Sequence, residues 1–108
     1  MDKKYELIKD DFITIDNRKL YRIKALRDFG DVREGDIGGY VENEYNLSHE
    51  GNAWIYENAM VYGNAKVCVD ARVYEDKLVY GEAMLYGDVD VFVDSEIYEI
   101  QENKNENN

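Results

Sequence analysis

Proline is absent, and cysteine, histidine and tryptophan occur once each, as Cys68, His49 and Trp54. With no proline, nothing interrupts a continuous ladder of paired strands. A single cysteine excludes an internal disulfide and any Cys/His zinc spacing, and its scarcity fits a reducing, cytoplasmic setting. No signal peptide is expected, and no apolar run reaches the length needed to span a bilayer. Basic residues are also scarce: 13 Lys and Arg stand against 24 Asp and Glu, for a net charge of −11. That balance disfavours direct contact with nucleic acid or an anionic membrane and favours a basic partner. The excess is uneven, net −3 over residues 1 to 50 and net −8 over residues 51 to 108. A length of 108 residues fits one domain.

What the chain has in abundance is a period. From Gly51 to Tyr98 it reads in eight unbroken sixes, beginning Gly51-Asn-Ala-Trp-Ile-Tyr56 and Glu57-Asn-Ala-Met-Val-Tyr62. Place two holds Asn, Asp or Glu throughout, and place three is Ala in five of the eight. Place five is always Ile, Val or Leu, and place six is aromatic except at Cys68. A six-residue period of this length predicts a β-solenoid, each hexad giving one short strand and a corner. Alternation along a strand puts places three and five inside and places four and six outside. The fourth-place residues Trp54, Met60, Lys66, Arg72, Leu78, Met84, Asp90 and Glu96 should therefore face outward. Places one and two should supply the corner, since Gly, Asn and Asp tolerate left-handed backbone. Lys77 is an anomaly at inward place three; its stem should lie along the wall with the ammonium near Asp76 or Glu75.

Gly38-Gly-Tyr-Val-Glu42, the run Asn46 to Asn52 and the hexads after them resemble the bacterial and phage β-solenoid repeat proteins of the YdcK type. The segment Leu20 to Phe29 is similar to that family's N-terminal cap. The resemblance implies a left-handed or related three-sided coil with about three hexads per turn. The expected fold is thus all-β: a short β-solenoid over residues 37–98, an N-terminal cap and turn-rich bridge over 1–36, and a polar, disordered tail over 99–108. The cap reads as a hairpin over residues 12–26, turning at Asp16 to Lys19. In its second strand Tyr21, Ile23 and Ala25 form the face expected to cover the first coil, with Leu20, Arg22 and Lys24 opposite. Gly30, Gly35, Gly38 and Gly39 mark turns; no GxxxxGK[ST] accompanies them to make a phosphate cradle.

Candidate chemistry is sparse. Hexapeptide acyltransferases commonly use a histidine base, but His49 lies in an irregular segment with no carboxylate partner fixed by spacing. Asn52, Asp70 and Asp88, and likewise Asn58, Asp76 and Asp94, recur every 18 residues. With three hexads per coil they would stack at ~4.8 Å, although corner formation alone accounts for them. No catalytic residue, metal or cofactor is assigned. At place six the same stacking predicts three outward ladders: Tyr56, Tyr74 and Phe92; Tyr62, Tyr80 and Tyr98; Cys68 and Tyr86.

The expectation is a non-catalytic acidic protein that occupies a basic, nucleic-acid-binding surface of another protein in the host cytoplasm, imitating a phosphate backbone. The contact residues would be Asp70, Asp76, Glu82, Asp88, Asp90, Asp94 and Glu96, with Tyr74 and Tyr80 as its apolar centre. The phage context of the resembling family implies an inhibitor of a host defence complex such as a CRISPR effector. Two alternatives stand beside it: an acyltransferase-like enzyme, and a structural module that pairs with a second copy of itself.

Overall fold

The computed structural model describes residues 3–75, 77–87 and 90–91, together with the backbone of 96–97 and 100–101. The protein is all-β, with one short 3-10 turn at Glu44–Asn46 as the helical element among the described residues. Strands β1 (Tyr5–Ile15) and β2 (Arg18–Ala25) form an antiparallel hairpin. Its two-residue turn has positive φ at both Asp16 (51°) and Asn17 (65°), as a type I′ turn requires. The hairpin thus starts seven residues before the expected position, because Tyr5 is buried in the main core and Leu7 packs against it.

Strand β3 (Ile37–Val41) runs antiparallel to β2 on one side and parallel to β5 on the other, joining hairpin and repeats in one sheet. It lies so close to the second hexad that a Cβ on Gly39 would sit 2.4 Å from the Ala59 carbonyl oxygen. The paired glycines therefore serve close approach within a strand and not the turn expected of them; Gly30 and Gly35 are the two of that run with positive φ. Beyond β3 each of the first eight hexads contributes a strand of two residues, places four and five. These are β4 (Trp54–Ile55), β5 (Met60–Val61), β6 (Lys66–Val67), β7 (Arg72–Val73), β8 (Leu78–Val79), β9 (Met84–Leu85), β10 (Asp90–Val91) and β11 (Glu96–Ile97). A last strand, β12 (Ile100–Gln101), pairs with β9, so backbone pairing extends into the expected tail.

Every third hexad returns to the same sheet: β4, β7 and β10 pair in parallel, as do β5, β8 and β11, and β6 with β9. Tyr56 N–H to Val73 O (2.7 Å) and Cys68 N–H to Leu85 O (2.9 Å) are typical of the bonds between layers. Inside lie the place-five residues Ile55, Val61, Val67, Val73, Val79, Leu85 and Val91, with Ala at place three. Burial of each such aliphatic side chain contributes about 1.5–3 kcal/mol.

Three details differ from the periodic reading and a fourth agrees with it. All seven described place-one residues have positive φ, including Glu57, Val69 and Glu75; the left-handed corner is place one, whatever residue stands there. Trp54, at outward place four, is buried beneath Phe29 and Tyr5, whose rings meet it edge-on. The non-repeating segment covers the first layer's outer wall. In β2, Leu20 is fully buried while Tyr21 is only half-buried, because the face opposite Ile23 and Ala25 is covered as well. Leu20 packs with Tyr40 and Tyr62 over the outside of the shared sheet. Lys77 is 4 % exposed with its Nζ 3.9 Å from Glu75 Oε1, as its position predicts.

The residues ahead of the first hexad close the first layer by supplying donors. Later layers receive the N–H groups of the layer before, but the carbonyls of residues 51–67 have no earlier hexad above them. Lys4 Nζ donates to Gly51 O (3.4 Å) and Ala53 O (2.7 Å). At the next corner Arg22 Nη1 donates to Glu57 O (2.7 Å) and Tyr40 N–H to Ala59 O (2.9 Å). At the third, Asn46 Nδ2 donates to Gly63 O (3.3 Å) and Ala65 O (2.7 Å). Glu42 and Ser48 add backbone donors to Val61 O and Val67 O. A buried carbonyl without a donor is costly, so Lys4, Arg22 and Asn46 together replace the donors that an earlier hexad would supply.

Candidate functional site

Asp70 and Glu82 stand exposed at corner place two, as expected. They do not share a cleft. Asp70 borders a small cleft of about 200 Å³ with Asp31, Asn52, Tyr56 and Arg72. Glu82 borders a groove of about 560 Å³ between the hairpin tip and the repeats, with Asp16, Arg18, Glu42, Tyr62 and Tyr80. Asp90 is not an unopposed acid: Arg72 Nε and Nη2 donate to its two oxygens at 3.0 and 3.3 Å. Asp76, Asp88, Asp94 and the side chain of Glu96 lie outside the described residues.

The tyrosine ladders exist, but their rings are not exposed. Tyr56 and Tyr74 stack at 4.5 Å and 10°, Tyr62 and Tyr80 at 5.3 Å and 7°. Tyr62 is buried and the other three are half-buried. Each ring covers its neighbour's face, and the hairpin covers the Tyr62 end. The Tyr56 hydroxyl donates to Asp31 Oδ1 at 2.7 Å; burial, then that bond, pushes its pKa well up. Tyr74 is pushed up chiefly by burial. The third ladder ends in half-buried Cys68, whose thiol is also raised by burial, the opposite of an activated nucleophile. Phe92 and Tyr98 lie outside the described residues.

Tyr74 and Tyr80 thus belong to different walls. Sequence reasoning missed most of the groove that holds Tyr80. Arg18 Nη1 donates to Glu42 Oε1 at 2.8 Å, and that same oxygen accepts the Gly63 N–H at 2.9 Å. The Arg18 guanidinium lies 5.8 Å from the Tyr62 ring centre. Asn64 Nδ2 donates to Glu82 Oε2 at 2.8 Å. The signal for Glu42 was its place in Gly-Gly-Tyr-Val-Glu; the hairpin tip carried no such mark.

His49 does have a carboxylate partner, contrary to expectation. Its Nε2 lies 2.8 Å from Glu44 Oε1, and Lys3 Nζ is 3.0 Å from Glu44 Oε2. The His49 bond foremost, and then Lys3, hold the Glu44 carboxyl below the usual range. Nδ1 of His49 accepts the Lys4 N–H at 3.1 Å, while the ring stacks on Tyr5 at 4.2 Å. A nitrogen that accepts N–H carries no proton, so Nε2 bears it and donates to Glu44. Both ring nitrogens are thereby engaged, and the histidine ties the start of β1 to the irregular segment.

Among the described residues no group of three or more His, Cys, Asp or Glu side chains is placed to hold a metal ion. No described helix is long and apolar enough to cross a membrane. No family model matches the chain. A 41-residue stretch, 38 % of the chain, is 46 % identical to a protein of Escherichia coli K12 described as the uncharacterized acetyltransferase YdcK. The match spans 13 % of that relative's length.

Proposed function

We propose that this chain is a non-catalytic acidic binding protein that docks on a basic, nucleic-acid-binding surface of another protein. In this reading its hexads wind as a short three-sided β-solenoid capped by the hairpin. The parallel pairing of every third hexad at an 18-residue step supports the winding. One observation carries the function. Among the described repeats the basic side chains are all drawn inward or onto partners: Lys66 over the Tyr45 ring, Arg72 onto Asp90, and Lys77 into the wall. The corner acids Asp70 and Glu82 meanwhile stand exposed. Such a surface offers a partner its corner carboxylates while the repeats' own described cations are engaged, as an acidic imitation of a phosphate backbone must. The test is competition. Proteins retained by the immobilised chain at low salt should be released by duplex DNA and not by a neutral polymer; retention indifferent to DNA would count against mimicry.

A second reading, an acyl-transfer enzyme, is favoured by the match to a protein named as an acetyltransferase. The engagement of both His49 nitrogens weighs against it. Titration with acetyl-coenzyme A decides: the first reading expects no change in melting temperature, and a saturable rise would favour the enzyme.

A further inference from the structure

One bond at His49 can exist in one charge state only. Nδ1 accepts the Lys4 N–H at 3.1 Å, and that takes a bare nitrogen. A second proton on the ring would make Nδ1 a donor aimed at a donor. Turning the ring over offers no escape, because both nitrogens of an imidazolium donate. The other bond responds in the opposite sense. Nε2 already donates to Glu44 Oε1 at 2.8 Å, and a positive ring strengthens a bond to a carboxylate. Protonation would thus tighten His49 onto its own segment and cast off Lys4. The His49 side chain is 23 % exposed, so a proton reaches it without unfolding.

Lys4 is a fastened residue. It is fully buried, its carbonyl accepts the Leu26 N–H at 2.8 Å, and its ammonium holds Ala53 O. Around the ring, Glu44 attracts a positive charge. Lys3, the Lys4 ammonium and Arg27, whose Nη2 donates to the His49 carbonyl at 3.2 Å, oppose it. Asp70 acts on Lys4 from the repeats, Glu50 follows His49 in the chain, and the Tyr5 ring lies flat on the imidazole.

From this geometry we propose that His49 is a pH-sensitive latch: a second proton on Nδ1 releases the Lys4 N–H and loosens the start of β1 from the first layer, while the bond to Glu44 holds. Histidine changes charge between pH 5 and 8, so the latch works on the acid side of neutrality. It is independent of what the acidic surface docks on.

A scalar coupling across the N–H···N bond, between the Lys4 nitrogen and His49 Nδ1, reads the latch directly by NMR of the isotope-labelled intact chain. The coupling should be present at about pH 8 and absent at about pH 5. Over the same step the Lys4 and Leu26 amides should lose about tenfold in protection from solvent exchange, each measured against its free-peptide rate at that pH. The Tyr56 and Cys68 amides, bonded between layers of the repeats, should keep theirs. His49→Phe retains a ring for Tyr5 and should leave Lys4 weakly protected at both pH values. The native chain decides on its own. A coupling that persists at about pH 5, or is absent at about pH 8, would overturn the latch. Loss of the coupling with Lys4 and Leu26 still protected would overturn the release. Loss of protection at Tyr56 and Cys68 as well would mean acid unfolding of the whole chain, and no local latch.

Discussion

Among the described residues Val69 is the one most at odds with its own conformation. It is β-branched, half-exposed, and held at φ 63°, where an L-residue's Cβ crowds the following carbonyl at a cost of about 1–2 kcal/mol. What holds it there is the preceding layer, since its carbonyl accepts both the Asn52 and Ala53 N–H groups at 2.9 Å. Val69→Gly should therefore stabilise the protein by about 1 kcal/mol, less a few tenths for added chain freedom, and raise the melting temperature by about 4 °C. The reverse change one layer earlier should be costly. A Cβ on Gly51 would fall 2.4 Å from the Val69 carbonyl oxygen, so Gly51→Val should lose about 2–3 kcal/mol. Thermal melts of the two variants check both signs, and a destabilised Val69→Gly would mean that the isopropyl group makes a contact worth more than the strain.

At the scale of elements, the non-repeating segment ahead of the hexads decides whether the first layer can exist. Asn46 is fully buried and spends its whole amide on the backbone. Nδ2 donates to Gly63 O and Ala65 O, and Oδ1 accepts the Glu42 and Asn43 N–H groups. Asn46→Ala should cost about 3 kcal/mol, because several buried groups lose partners at once; a denaturant titration showing less than about 1 kcal/mol would mean water replaces the amide. Lys4 makes the cap pH-dependent. Burial, then Arg27, lowers its pKa from 10.5 to about 8. Between those values the unfolded chain binds the proton that the folded chain has released, so stability should rise from pH 8 towards pH 10. Above pH 10 the trend reverses, because buried Tyr5 has its pKa raised and the unfolded chain ionises first. Lys4→Met should flatten the rise; an unchanged slope in pH-dependent melts would assign it elsewhere. The repeats were legible in the sequence because each hexad restates which places face in, and Val61 to Leu85 obeyed. The donors ahead of the hexads were not, since they are single side chains acting across 19 residues for Asn46 and 49 for Lys4, and no period encodes such a bond. Trp54 and Tyr62 were misread for the same reason: a non-repeating segment covers a face that the period leaves outside. The corner acids were legible one by one, but their division between two clefts depends on which sheet follows each corner.

Over the whole molecule, charge of one sign is the dominant property. A net charge of −11 opposes compaction by self-repulsion, so salt should help the isolated chain while it weakens docking on a basic partner. The account's central claim is that the exposed corner carboxylates make that contact. The most direct measurement is the affinity for a protein released from the immobilised chain by DNA, taken from about 50 to 200 mM salt, for the native chain and for an Asp70→Lys, Glu82→Lys variant shown to be folded. The account predicts that native affinity falls by about tenfold or more over that range and that the variant loses both the affinity and most of its salt dependence. Equal affinity of the two chains, with the same flat response to salt, would contradict it.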